Sequence, residues 1–205
     1  MGREISSIIG WSRVSVGGNS FTSFNPATGS PIPTGFACAD DADVDRAARL
    51  ASAAFGVFSQ WSAVRRVSFV GRIAELLEAN ASAVVAAASV ETGLELPRLN
   101  GELARTCFQL RFYGQACASG LALGARIEHG DPHRTPLPRP DLRSVMRPLG
   151  PVAVFGSSNF PLAYSVAGGD TAWAFAAGCT VVFKAHPLHP NTSEMVGGLV
   201  QQAAH

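Results

Sequence analysis

RPLGPVAVFGSSNFPLAYSVAGGDTAWAFAAGCTVVFKAHPLHP, Arg147 to Pro190, decides how the rest of the chain is read. Val152 to Phe155 is a short apolar run with β-branched residues, the pattern of a buried strand in a parallel sheet. Gly156, Ser157, Ser158 and Asn159 break it. Pro161 stands where a first helical turn tolerates proline, and Leu162 to Ala177 is small and apolar up to Gly178, so a helix is predicted over that span. Thr180 to Phe183 is a second apolar run, ending in Lys184 and a proline-punctuated loop. Strand, helix and strand make a βαβ unit with a right-handed crossover. The polar residues after both strands then share one edge of the sheet, where open α/β sheets bind nucleotides.

A chain of 205 residues that is 47% hydrophobic has ample material for a buried core. Only 15% of residues are charged and the formal net charge is +1, which gives no footing for nucleic acid, a membrane surface or an acidic partner. No apolar run has the length of a bilayer span, and Met1 to Ser20 lacks the features of a secretory signal, so the expected location is the cytoplasm. Cys38, Cys107, Cys117 and Cys179 are scattered without CxxC spacing and read as buried reduced thiols. His129 with His133, and His186 with His189, form two pairs in proline-rich loops; they read as solvated histidines, and no metal site is expected.

Upstream, Val14 to Val16 and Phe21 to Phe24 flank GGN and predict a hairpin turning at Gly17 and Gly18. NPATG, Asn25 to Gly29, is a turn cluster before another extended piece. Asp40, Asp41 and Asp43 crowd the start of a helix, where carboxylates cap free amides. Val44, Ala47, Ala48, Ala51, Phe55 and Phe58 continue it at helical spacing. Ser62 is placed to cap a second helix with Val67, Val70, Ile73, Leu76 and Leu77 as its apolar stripe. Ser82 to Val90 predicts a third helix, ended near Gly93. Pro97 opens a fourth, with Leu99, Leu103, Cys107, Leu110, Tyr113 and Cys117 on one face. Ile127 to Arg147 has four prolines and many charges. It reads as an exposed extended arm with a strand at Leu142 to Met146, placed to pack on another subunit or to remain a plain surface loop. Ser193 to Ala204 predicts a last helix.

A nucleotide site at the strand ends needs backbone that a ligand can approach and polar groups that converge on it. Gly156 provides the approach and Ser157, Ser158 and Asn159 provide donors. GxGxxG is absent, so this is not the standard dinucleotide fingerprint. Lys184 at the end of the second strand would face the same crevice, although for that lysine alone a solvated strand end is the favoured reading.

Taken together, FNPATG at Phe24 to Gly29, DVDRAARLASAAF at Asp43 to Phe55, Trp61, ETG at Glu91 to Gly93, PLGPVAVFGSSNFPL at Pro148 to Leu162 and AFAAGCTVVFKAHP at Ala174 to Pro187 resemble the aldehyde dehydrogenase superfamily. These ordered motifs, at matching intervals, cover essentially the whole chain. The resemblance implies an α/β fold: the N-terminal part of a Rossmann-like cofactor domain, helices plus a parallel βαβ unit, with a protruding arm at 127–147. It implies an NAD(P)-dependent oxidation of an aldehyde in which a cysteine thiolate attacks the carbonyl, hydride leaves to the nicotinamide and water releases the acid.

By that resemblance Asn159 matches the asparagine whose side-chain amide holds the developing oxyanion, a kind of donor worth about 3–4 kcal/mol where one has been removed from other enzymes. Phe155, Gly156, Ser157 and Ser158 match the strand-end segment lining the cofactor, Lys184 the lysine at the adenosine ribose, and His186 and Pro187 complete that side. Two positions depart from the pattern. Ser158 stands where the family often has Trp, and Pro187 where NAD-preferring members often have Glu, so NADP or NAD is expected, with NADP favoured. The PHRTP and KAHPLHP wording resembles the branch acting on 2-oxoglutarate semialdehyde and NADP-preferring long-chain enzymes. The family's nucleophilic cysteine, its general-base glutamate and the GSxxxG helix have no counterpart in these residues. The expectation is therefore an incomplete NAD(P)-binding domain over 1–205 with the catalytic domain absent, inactive alone, and oligomeric when full length. The alternative is a non-catalytic homologue serving as a cofactor-binding or assembly module.

Overall fold

The computed structural model describes residues 3–5, 7–14 and 19–205. The turn expected at Gly17 and Gly18 lies outside the described residues, and the described strands on either side of it pair elsewhere, Ser12–Val14 with Ser7–Ile9 and Ser20–Asn25 with Ser30–Ala37. Five strands come first: β1 (Arg3–Ile5), β2 (Ser7–Ile9), β3 (Ser12–Val14), β4 (Ser20–Asn25) and β5 (Ser30–Ala37). β2 and β3 pair antiparallel, while β5 lies between an antiparallel β4 and a parallel β1. The NPATG turn joins β4 to β5. Asn25 Oδ1 accepts from Ala27 N at 2.9 Å, the Asn25 carbonyl accepts from Gly29 N at 2.8 Å, and Gly29 takes φ +67°, so the asparagine closes the turn on itself.

Four helices follow: α1 (Asp41–Phe58), α2 (Ala63–Ala79), α3 (Ala81–Thr92) and α4 (Leu96–Ala118). The caps are those the residue types dictate. Asp40 and Asp43 form a reciprocal capping box on α1, and Ser62 Oγ accepts from Arg65 N at 3.2 Å on α2. Val70, Ile73 and Leu77 of α2 interlock with Leu99, Leu103, Cys107 and Leu110 of α4 and with Val84, Val85 and Ala88 of α3 in one core. α1 departs from its expected stripe: Val44 is exposed and Ala51 is its buried residue. The helix is anchored at its end instead, where Phe58 meets Trp61, Phe69 and Phe175 at centroid distances of 5.0, 5.9 and 6.0 Å. Cys107, Cys117 and Cys179 are buried as expected, but Cys38 is exposed at the end of the β-rich segment.

The arm is a two-stranded antiparallel ribbon, β6 (Arg126–Glu128) with β7 (Leu142–Ser144), two residues shorter than expected at its far end. Every residue of both strands is exposed. Then β8 (Val152–Phe155), α5 (Gly169–Ala177) and β9 (Val181–Lys184) form the βαβ unit, with β8 and β9 parallel, and α6 (Pro190–Ala203) closes the described chain.

Two expectations fail here. In β8, Val154 is the buried residue, whereas Phe155 is 72% exposed. The helix expected from Leu162 begins only at Gly169, and Pro161 belongs to a compact loop rather than a first helical turn. The buried Glu102 of α4 takes the amides of Leu162 and Ala163 on Oε1 at 2.8 and 2.9 Å, and Gly169 N donates to the Ala163 carbonyl at 3.0 Å. The helical ladder is broken further on: Gly168 N donates to the Ser165 carbonyl at 2.9 Å and the Tyr164 carbonyl accepts from Ser157 N, so neither Gly168 nor Gly169 makes its i→i−4 bond. α6 also starts earlier than expected, with Pro190 in its first turn.

Candidate functional site at the strand ends

The site grows from one rung of the β8–β9 ladder. Phe155 is the register partner of Lys184, and Gly156 N donates to the Lys184 carbonyl at 3.1 Å, so both loops leave the sheet at the same level. A side chain at Gly156 would put Cβ 3.0 Å from Phe183 Cζ and 3.2 Å from His186 N. The close approach this glycine permits is therefore that of the neighbouring loop.

His189 ties the loops together. It is fully buried, and its Nε2 donates to the Ser157 carbonyl at 2.8 Å, which fixes the proton on Nε2. His186 stacks on it at 5.4 Å, and His186 Nδ1 accepts from Leu188 N at 3.2 Å. Burial, with His189 and Lys184 nearby, holds the His186 pKa below its ordinary value. His189 is structural at this position, binding loop to loop, while His186 bonds only within its own loop.

On the β8 side, Ser157 N donates to the Tyr164 carbonyl at 2.9 Å and Ser157 Oγ lies 2.6 Å from Asn159 Oδ1. Arg98, at the start of α4, donates to the Asn159 carbonyl at 2.9 Å. The Asn159 side chain is exposed at the crevice, and its amide nitrogen has no protein partner among the described residues. Ser158 is exposed beside it. On the β9 side Lys184 is exposed and in no ion pair among the described residues, and Pro187 stands three residues on. From Lys184 to His189 the loop carries no carboxylate. The edge thus offers an outward amide donor on one loop and an ammonium on the next. This donor set suits a polar oxygen at one end and ribose hydroxyls or phosphate at the other.

Sequence reasoning missed the carboxylates that hold this edge from behind. Glu91 is 3% exposed and accepts four hydrogen bonds: Ser23 Oγ (3.0 Å) and Asn191 N (2.9 Å) on Oε1, and Thr192 N and Oγ1 (both 2.7 Å) on Oε2. It caps α6 across 100 residues of sequence. Gly93, in the left-handed region at φ +69°, packs on Pro26, with Cγ 3.1 Å from the position of a Cβ. ETG and FNPATG therefore meet in space. A Glu in the last turn of α3 with no local partner was the available signal, and it does not name the groups that the carboxylate meets. A cleft of about 290 Å³ lies apart from these residues, between Arg66, Cys117, Leu123, Met146, Arg147 and Ala176.

Residues 13–205 match the sequence model described as the aldehyde dehydrogenase family. The chain is 46% identical over 197 residues to alpha-ketoglutaric semialdehyde dehydrogenase 2 of Azospirillum brasilense, covering 96% of this chain and 38% of that protein. It is 44% identical over 191 residues to alpha-ketoglutaric semialdehyde dehydrogenase of Acinetobacter baylyi, covering 93% and 36%. The fold superposes on the crystal structure of HpcC from Thermus thermophilus with a TM-score of 0.85 at 26% identity, over 99% of this chain and 38% of that one. The chain thus spans well under half the length of the relatives it matches.

Proposed function

This chain belongs to the aldehyde dehydrogenase family, and from that premise we propose that it supplies the oxyanion end and the adenosine-ribose end of an active site that oxidises an aldehyde to a carboxylic acid with NAD(P). The observation that carries the reading is the shared rung at Phe155 and Lys184, which brings the Asn159 loop and the Lys184 loop out of the sheet side by side. A nicotinamide cofactor supplies the hydride acceptor. Asn159 donates its free amide to the aldehyde oxygen as that oxygen gains charge, and Lys184 meets the ribose, with Phe155, Gly156, Ser157, Ser158, His186 and Pro187 forming the surrounding wall. The names of the two relatives support 2-oxoglutarate semialdehyde as the aldehyde. The carboxylate-free loop at Pro187 supports NADP over NAD, since nothing there repels a 2′-phosphate.

None of the four cysteines suits the nucleophile. Cys107, Cys117 and Cys179 are buried, and burial, followed by the nearby Glu78 carboxylate, pushes the Cys107 thiol up to about 11. Cys38 lies beyond β5 rather than at the strand ends. These residues accordingly read as the cofactor-binding part of a longer enzyme. The 205 residues alone are expected to give no turnover.

Asn159→Ala in the full-length polypeptide tests the central claim. The expected result is a loss of roughly 100- to 1,000-fold in kcat with 2-oxoglutarate semialdehyde, and an unchanged kcat would refute it. Pro187→Glu is expected to weaken NADP relative to NAD in a fluorescence titration, and equal affinities before and after would remove the NADP preference.

A further inference from the structure

The orientation of the Asn159 amide decides whether it can act as an oxyanion donor at all, and the inference drawn from it rests on that reading of Asn159. An asparagine amide has an acceptor end and a donor end, and the terminal torsion that exchanges them is soft and nearly two-fold. With the oxygen turned outward the side chain would oppose a developing negative charge, and only the NH2 end stabilises it. Asn159 is exposed, so water competes for both ends.

One contact breaks the tie. Ser157 Oγ and Asn159 Oδ1 are 2.6 Å apart. That is the length of an O–H···O bond and is short for an N–H···O bond, so the hydroxyl donates and the amide oxygen is turned back toward Ser157. The nitrogen, on the other side of the amide, is left without a protein partner among the described residues. Ser157 is in turn held on both sides of its Cα: its amide donates to the Tyr164 carbonyl at 2.9 Å, and its carbonyl accepts from the buried His189 at 2.8 Å. His189 cannot drift, because it begins α6 and its carbonyl accepts from Ser193 N and Ser193 Oγ, both at 3.1 Å.

We propose that Ser157 is a positioning residue for the oxidation: its hydroxyl selects the orientation of the Asn159 amide that presents NH2 to the aldehyde oxygen, and His189 fixes the backbone that aims that hydroxyl. The role is distinct from lining the cofactor. The hydroxyl acts on kcat through Asn159, whereas the cofactor wall to which Ser157 contributes is its backbone.

The test is a double-mutant cycle in the full-length enzyme, with Ser157→Thr as the conservative variant. Ser157→Ala is expected to lower kcat roughly tenfold while KM for NAD(P) stays within about twofold, and Ser157→Thr, which keeps the hydroxyl, to recover most of the loss. In an Asn159→Ala background, Ser157→Ala should cost nothing further, because there is no amide left to orient. A wild-type kcat for Ser157→Ala overturns the proposal, as does a double variant whose loss is the product of the two single losses. A parallel change in kcat, KM and melting temperature that Thr does not repair also overturns it, since that pattern marks a merely structural serine. If Asn159→Ala is itself unimpaired, the oxyanion reading fails and takes this inference with it; impaired Asn159→Ala beside unimpaired Ser157→Ala refutes the inference alone.

Discussion

Glu102 sits in the middle of α4 with 6% of its surface exposed, and both of the amides it accepts belong to the loop that follows Asn159. Its Oε2 has no partner among the described residues. Glu102→Ala therefore leaves two buried N–H groups unsatisfied, at about 1–3 kcal/mol each, partly offset by removal of the orphan oxygen. A loss of about 2–4 kcal/mol in urea unfolding is expected on that basis. His186 acts through pH. Its pKa is held below the ordinary 6.5 by burial first, then by His189 and Lys184, so the unfolded chain takes up this proton more readily than the folded one. Stability from this site is intact above pH 6.5 and declines as pH falls below it, and protonating Nδ1 would also break its bond to Leu188 N. His186→Gln should flatten the fall in melting temperature between about pH 7.5 and 5.5. An identical slope in wild type and variant would show that the site is not felt.

Among the secondary-structure elements, the helices whose signals are local are the ones legible in the sequence. Asp40, Ser62, Gly93 and Pro97 mark ends by capping or by restricting the backbone within one turn, and α1, α2 and α4 start, and α3 stops, where those residues put them. The loop 161–168 reads as helix because PLAYSVAG has the composition of one; the bonds from Gly168 N to Ser165 and from Gly169 N to Ala163 interrupt the helical ladder, and Glu102, 60 residues before Leu162, holds the loop from outside. Glu91 is illegible for the same reason: a helix face shows that a carboxylate points inward and not which amides it meets. The candidate edge is legible only as far as residue type. Asn159 and Lys184 are visible there, while nothing local separates the buried His189 from a solvated histidine.

Gly168 tests the loop directly. A Cβ there would lie 2.4 Å from the Ala163 carbonyl oxygen and 2.8 Å from Ser165 N. Gly168→Ala should force the turn open and lower stability by about 2 kcal/mol or more, a fall of roughly 5 °C in a thermal melt. Gly101→Ala, on α4 with nothing within 4 Å of the added methyl, should instead raise stability by about 0.5–1 kcal/mol. Equal shifts would mean that the loop tolerates a side chain.

For the whole molecule, no single described helix is long and apolar enough to cross a membrane; α2 and α3 pass such a test only as a pair bent by 74°, and both line the core. Among the exposed apolar side chains, Ile127, Leu137, Leu142, Val145 and Met146 lie on the arm and Leu149 just beyond it. β6 and β7 pair with each other, and Met146 N donates to the Leu123 carbonyl at the foot of the arm. We propose that this ribbon packs on a second copy of the full-length protein. Replacing residues 129–141 with a short Gly-Ser link should leave the melting temperature of the fold within about 3 °C, since an exposed segment of this kind contributes little to stability, while sedimentation velocity should show the assembly reduced in size. A variant that sediments like the parent would refute the role.

The shared rung at Phe155 and Lys184 also bears on how such enzymes can be recombined. Strands in a ladder stand about 4.8 Å apart, so the pairing of β8 with β9 meters the gap between the two loops, while Glu91 and Glu102 reach out of the helical layer to hold the loops that follow. A chimera joined between α4 and β8 would pair one parent's ladder with the other's carboxylates. The block that can be exchanged without remaking the site therefore runs from the NPATG turn through α6.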